Sequence, residues 1–182
     1  MQNKLLYQRK TLNSGFVVLC HNCNLGQAKT TINSIKNNYP DSKCCCVVPE
    51  YCHNEEIEEI AKLCTAHKAY STITSLINMG MENAPCKEWN FIVIAGSWVK
   101  KGLDRKCSYF VENEKDILFP IVDRKMNFID GSINGILMQK QAFQDIGPLA
   151  TDHPLEICKT FWAMEAQEKG YKFKAVLGAA IC

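Results

Sequence analysis

The chain has 182 residues, a formal net charge of +2, 47% hydrophobic residues and 22% charged ones. That length admits one domain with a substantial core, here taken as 1–182; the apolar share argues against disorder, and so small a charge gives no steering toward nucleic acid or anionic lipid. No apolar run approaches the roughly 20 residues of a membrane span, and the polar start Met1-Gln2-Asn3-Lys4 lacks a signal peptide's apolar stretch, so a cytoplasmic protein is expected.

Gly15-Phe16-Val17-Val18-Leu19-Cys20 is a compact apolar run with β-branched residues, as expected of a strand buried on both faces. After the polar turn His21-Asn22-Cys23-Asn24, the residues Ala28, Ile32, Ile35 and Tyr39 recur at helical spacing and stop at Pro40. Lys43 to Val48 reads as a second strand with Pro49 to His53 as its exit loop. Asn54 is placed to cap a helix whose first turn carries Glu55 and Glu56, both favoured at the positive end of the dipole. A short strand near Lys68 to Tyr70 precedes a helix with Ile73, Leu76, Ile77, Gly80, Met81 and Ala84 on its apolar face. Strand and helix thus alternate, which predicts βαβ crossovers and a mostly parallel mixed sheet flanked by helices. In such sheets ligands collect beyond the carboxyl ends of the strands, here after Cys20, Val48 and Ile94.

The third strong strand, Phe91 to Ile94, runs into Ala95-Gly96-Ser97 with no acid among them. Lys100-Lys101 and Arg105-Lys106 form a short basic cluster on what reads as a solvated turn. Asp116 to Val122 is a predicted strand, and Asn127 to Met138 a second apolar stretch broken by Gly131 and Gly135. Gln139 to Ile146 reads as a short helix closed by Gly147. Pro154 to Lys169 reads as a longer one capped by Asp152 or His153, with Cys158, Phe161, Trp162 and Glu165 on one face. Tyr171 to Val176 alternates as a half-exposed strand should.

Eleven cysteines raise the question of a disulfide framework or a metal site. Cys44-Cys45-Cys46 lie consecutively in a strand, so their side chains alternate and cannot converge on one ion. His21, Cys23, Cys52 and His53 fall near the ends of neighbouring strands but lack paired Cys-x-x-Cys spacing. The odd count and absent secretion signal disfavour a disulfide scaffold, and reduced cysteines serving as small buried hydrophobes are expected.

Taken in order from Phe16 to Val176, these pieces resemble the GT-A-type nucleotide-diphospho-sugar transferases, most closely the inverting family that contains the polysaccharide synthases. The matching segments are Cys20-His21-Asn22, Val48-Pro49-Glu50, Asn78-x-Gly80-x-x-x-Ala84, Asp130-Gly131-Ser132-x-Asn134-Gly135 and the terminal helix ending at Lys169-Gly170-Tyr171. The resemblance implies a nucleotide-sugar donor held by His21, Asn22, Glu50, Asn78 and Ser97, and an unidentified acceptor at Gly131 and Ser132. It implies transfer with Asp152 as first and Glu156 as second candidate base. It also implies Mn²⁺ or Mg²⁺ held by an Asp-x-Asp, which Ala95-Gly96-Ser97 replaces; both metals are therefore disfavoured and no metal ligand is assigned. Lys100, Lys101, Arg105 or Lys106 would then neutralise the diphosphate. Two functions follow from these departures: an atypical, metal-independent glycosyltransferase, or a catalytically inactive relative that binds a nucleotide, a sugar or a protein partner. A thiol- or metal-linked binding protein using His21, Cys23, Cys52 and His53 is a third.

Overall fold

The structure is a computed structural model that describes residues 12–121 and 132–177. Its strands are β1 (Ser14–Leu19), β2 (Cys44–Pro49), β3 (Thr65–Ala69), β4 (Trp89–Ile94), β5 (Asp116–Ile121), β6 (Leu137–Gln139) and β7 (Lys172–Leu177). The helices are α1 (Leu25–Asn38), α2 (Asn54–Ala61), α3 (Ile73–Glu82), α4 (Leu103–Ser108), α5 (Lys140–Ile146) and α6 (Leu155–Glu168). They build one seven-stranded sheet in the order β3-β2-β1-β4-β6-β5-β7. Only β6 runs against its neighbours β4 and β5; the other pairs are parallel. The expected α/β architecture, a mostly parallel mixed sheet between helices, is thus the observed one.

Alternation along the strands divides the core into two layers. Phe16, Val18, Cys46 and Val48 face α1 and α2, packing on Ala28, Ile32, Ile35 and Ile60. Val17, Leu19, Cys45 and Val47 point the other way, onto Leu76, Ile77 and Met81 of α3 and the buried faces of α5 and α6. Apart from Ser14 and Asn90, whose amide bonds the Cys86 backbone, the central strands are therefore apolar, because neither face meets water. Fully burying a side chain such as Phe16 or Leu19 contributes roughly 1.5–3 kcal/mol.

Gly80 sets how closely α3 approaches the sheet. A Cβ built there would lie 2.3 Å from Val17 Cγ1 and 3.2 Å from Val47 Cγ2, inside the van der Waals limit. The Asn78-x-Gly80 spacing thus has a packing cause. Gly80→Ala is expected to destabilise the fold by about 1–3 kcal/mol through overpacking, read as a lower urea midpoint at unchanged slope. A midpoint equal to wild type would show that α3 moves off the strand without cost.

Several expectations require correction. Asn54 is the first residue of α2 and not its cap; His53 holds the N-cap position, and the Asn54 amide oxygen accepts from Lys68 Nζ at 2.8 Å. Pro154 occupies the N-cap of α6, so neither Asp152 nor His153 caps it. The buried face of α6 is Cys158, Lys159, Trp162, Ala163 and Ala166, while Phe161 stands 59% exposed with Glu165 outside. The predicted turn around Arg105-Lys106 is α4, docked through Leu103 and Cys107. Gly131 and the first five residues of the expected 127–138 stretch, 127–131, lie outside the described residues.

Candidate functional site

Every strand except β6 ends on the same edge of the sheet, and α1, α2 and α3 separate to opposite faces on either side of β1 and β4. In open α/β sheets such a divergence marks the crevice where ligands bind, and here that position falls between the carboxyl ends of β1 and β4. β1 delivers His21 and Asn22 there, both exposed, and β2 delivers exposed Glu50, whose amide donates to Ala69 O at 2.8 Å. Asn22 Oδ1 accepts from the Asn24 amide, and Asn24 Oδ1 caps α1 by accepting from Gln27 N. The imidazole of His21 and the carboxylate of Glu50 are left facing outward. Tyr51, Tyr70 and Trp98, at the ends of β2, β3 and β4, are large exposed aromatics on this same edge.

α6 leads into β7, which is parallel to β5, so the helix runs antiparallel to the strands and begins at the carboxyl edge. Asp152, His153 and Glu156 therefore stand on the same edge as His21 and Glu50. Asp152 Oδ2 lies 3.7 Å from His153 Nε2, with side chains 75% and 50% exposed. Glu156 is exposed in the first turn of the helix, where the dipole favours a carboxylate.

The end of β4 is closed by an amide. Asn134 Oδ1 accepts from Ile94 N at 2.9 Å, and Asn134 Nδ2 donates to Ser97 Oγ at 2.8 Å. From α1, buried Thr31 donates its hydroxyl to Ser97 O and accepts from Gly96 N. Ser97 is thus buried and already bonded. A neutral hydroxyl held by an amide does not fit a divalent cation, which needs anionic oxygen donors. Among the described residues, no group of three or more His, Cys, Asp or Glu could hold a metal ion. The chain then runs down beside α1: Val99 N donates to Ser34 Oγ, and Tyr39 OH donates to Lys100 O at 2.9 Å. Lys101 and Arg105 consequently line a cavity at the opposite, amino edge with Ser14, Lys43 and Glu88. Lys101 and Arg105 thus stand at the edge opposite to the strand ends, away from a diphosphate bound there.

Asn78 also has a partner. Its Nδ2 donates to Leu149 O at 2.8 Å and its Oδ1 accepts from Leu149 N at 2.9 Å. The amide ties α3 to the loop ahead of α6 and so holds the Asp152 segment in register, rather than facing open space. Ser132, exposed, caps the turn by accepting from Asn134 N.

Cys23 and Cys52 are joined as a disulfide, with Cα atoms 6.0 Å apart. This overturns the expectation of reduced cysteines at these positions and removes the thiolates of the His21, Cys23, Cys52, His53 metal reading. The bond links the β1–α1 and β2–α2 loops beside His21 and Glu50, and the Lys29–Glu59 ion pair links the two helices next to it. Lys29 holds the Glu59 carboxyl below the usual carboxylate range. Cys23 is the one non-glycine residue with positive φ, 51°, among those described. Cys20, one turn earlier, stays a thiol: burial pushes it up to about 11 against a hydrogen bond from the Asn24 backbone. Sequence reasoning missed Thr31, Asn134 and the disulfide; the Ser-x-Asn-Gly run at 132–135 was the one signal available for the amide.

No protein-family profile and no curated protein sequence matches this chain. Its fold is shared with solved structures. A structure of GalNAc-T7 with UDP, GalNAc and Mn²⁺ superposes with TM-score 0.74 at 11% identity, covering 94% of this chain and 43% of that one. TarS of S. aureus in complex with UDP gives 0.59 at 10% identity, over 90% of this chain and 57% of that one. A nucleotidyl transferase from Methanothermobacter thermautotroptrophicus gives 0.61 at 12% identity, over 90% and 86%. The chain spans less than two thirds of the length of the two glycosyltransferases. The GT-A-like fold is established by these likenesses. No helix among the described residues is long and apolar enough to cross a membrane.

Proposed function

We propose that this chain is a single GT-A-like domain that binds a nucleotide sugar across the carboxyl ends of β1, β2 and β4. In this reading it transfers the sugar to an acceptor through a site that does not depend on a carboxylate-held metal. The observation that carries the reading is the convergence of exposed His21, Asn22 and Glu50 on one crevice, in a fold shared with proteins solved with UDP. Glu50 accepts from a base or ribose; His21 and Asn22 donate to polar atoms of the nucleotide. The start of α1, whose first turn carries no acid, presents its positive end toward a diphosphate. Asp152 takes the acceptor proton, with Glu156 as the second candidate, and Gly131 and Ser132 belong to the acceptor side. Ser97 contributes by shaping the crevice through Asn134, and Asn78 by holding the Asp152 loop.

A specific observation favours the alternative, a non-catalytic nucleotide- or sugar-binding relative: the pair Ser97 and Asn134 is neutral where the resemblance calls for acids. Thermal-shift titration with UDP, GDP, CMP and their sugars, with Mn²⁺ or with EDTA, separates the two. A ligand at a hundredfold excess over its Kd stabilises by about 2.7 kcal/mol. The expected result is such a shift with one sugar nucleotide, equal in Mn²⁺ and EDTA, together with turnover lost in Asp152→Asn while the shift persists. Stabilisation without turnover in wild type selects the alternative. No response to any nucleotide or sugar nucleotide overturns the transferase reading.

A further inference from the structure

A second thiol pair lies far from the crevice. Cys44 opens β2 and Cys64 stands immediately before β3; since Cys45 pairs with Thr65 across the parallel ladder, Cys44 and Cys64 face each other one step earlier. Neighbouring strands run about 4.8 Å apart, inside the roughly 4.4–6.8 Å of Cα separation that a disulfide spans. Cys44 Sγ donates to Cys45 O at 3.7 Å. Both are half-buried, whereas the other described free cysteines are buried.

The pair is chemically asymmetric. The neighbouring Cys44 thiol and the charge of Lys36 hold the Cys64 thiol below its ordinary range, although burial opposes them. The neighbouring Cys64, followed by burial, pushes the Cys44 thiol well up. The thiolate is the reactive form, so Cys64 is the attacking sulfur and Cys44 the reserve.

We infer that Cys44 and Cys64 form an oxidisable dithiol, a covalent modification site for small-molecule disulfides at the amino edge of the sheet. Cys64 Sγ, as thiolate, attacks one sulfur of the disulfide; the S–S bond breaks, a Cys64 mixed disulfide forms and one small thiolate leaves. Cys44 then loses its proton, its sulfur attacks Cys64 Sγ, and the second small thiolate leaves. Two protein thiols are oxidised to one disulfide, the oxidant takes up two electrons as two thiols, and both protons end on them. Cys44-Cys45-Cys46 thereby resolves into one reactive and two buried thiols, since Cys46 lies under α1 and α2 and Cys45 faces the opposite layer. The inference does not depend on nucleotide binding.

The full chain, with Cys23–Cys52 oxidised, is treated with glutathione disulfide near neutral pH and mapped by peptide mass spectrometry. The expected product joins the peptide beginning at Cys44 to that containing Cys64, two hydrogens lighter. Cys44→Ser stops at a Cys64–glutathione adduct, and Cys64→Ser yields neither product. Folded Cys44→Ser with Cys64 unmodified, or glutathione added first to Cys86 or Cys158, overturns the inference. Should a variant not fold, wild type decides by timed alkylation. Cys64 is expected to react about tenfold faster than Cys86 and Cys158, and equal rates would refute the pair.

Discussion

Cys52→Ser is expected to lower the stability of the protein by about 3–4 kcal/mol, the chain-entropy value for opening a loop of this span. Cys23 and Cys52 are 29 residues apart, and the bond closes the α1–β2 unit, joining the two loops that border the crevice. For a chain of this size the loss corresponds to roughly 10 °C in Tm. Calorimetry of wild type with and without reductant, beside Cys52→Ser without it, reads the effect directly. The reduced wild type should coincide with the variant. A wild type whose Tm ignores reductant would mean that the bond contributes nothing to the folded state. The site should feel the change as well, because His21 and Glu50 sit on the segments that the bond holds together.

Lys174→Ala is expected to cost about 3 kcal/mol, the lower end of the range for breaking a buried ion pair. Asp116 is fully buried at the start of β5; its Oδ2 accepts from Glu112 N at 2.7 Å, Asn113 N at 3.0 Å and Lys174 Nζ at 2.9 Å. Its Oδ1 has no partner among the described atoms, so the charge already has less support than a buried carboxylate usually receives. Burial alone would raise its pKa, but the two backbone amides and Lys174 prevail and hold it below the ordinary carboxylate range. Burial would lower Lys174, but Asp116 and Glu112 lift it above the usual lysine value. The sign for each group follows. Asp116 contributes stability above its unfolded pKa, near 3.9, and loses it as pH falls through the lower folded value. Lys174 contributes below its unfolded pKa, near 10.4, and loses that as pH rises through the higher folded value. The difference between wild type and Lys174→Ala in urea unfolding should therefore be flat between about pH 4 and 10 and shrink outside that window. A difference that varies across neutral pH would assign the effect to other groups.

The parts of the fold legible in the sequence were those where burial dictates composition. β1, β2 and β4 are covered on both faces, so their residues are apolar but for Ser14 and Asn90; α1 and α3 have one face on the sheet, so their periodicity survived. Where tertiary contact overrides local chemistry, the reading failed. Asn54 and Asp152 have the side chains of N-caps, yet the chain reaches each helix at an angle that puts His53 and Pro154 in the cap position. Phe161 is apolar and correctly spaced, but α6 rotates so that Ala163 and Ala166, small enough for close packing, face inward. α4 escaped notice because a six-residue helix with only Leu103 and Cys107 buried has no readable period. For the candidate site, the edge and the exposed residues His21, Asn22 and Glu50 were legible from strand ends alone. The bridge was not, because pairing two cysteines out of eleven requires knowing which loops meet. The basic cluster misled for a similar reason: Lys100 and Lys101 are near Ser97 in sequence, but Tyr39 and Ser34 draw the intervening chain to the far edge.

The contact between Ser97 and Asn134 also bears on how this site can change by mutation. The two positions lie 37 residues apart, yet the Asn134 amide spends its carbonyl on Ile94 and one N–H on the Ser97 hydroxyl. An aspartate at 97 alone would be absorbed as a new acceptor for that N–H, leaving a single carboxylate and no second acid to complete a cation's shell among the described residues. Recovering a metal at the end of β4 takes at least two substitutions, and the first brings no ion with it. Substitutions elsewhere along the crevice, at His21 or Glu50, meet no such interlock and are open to change one at a time.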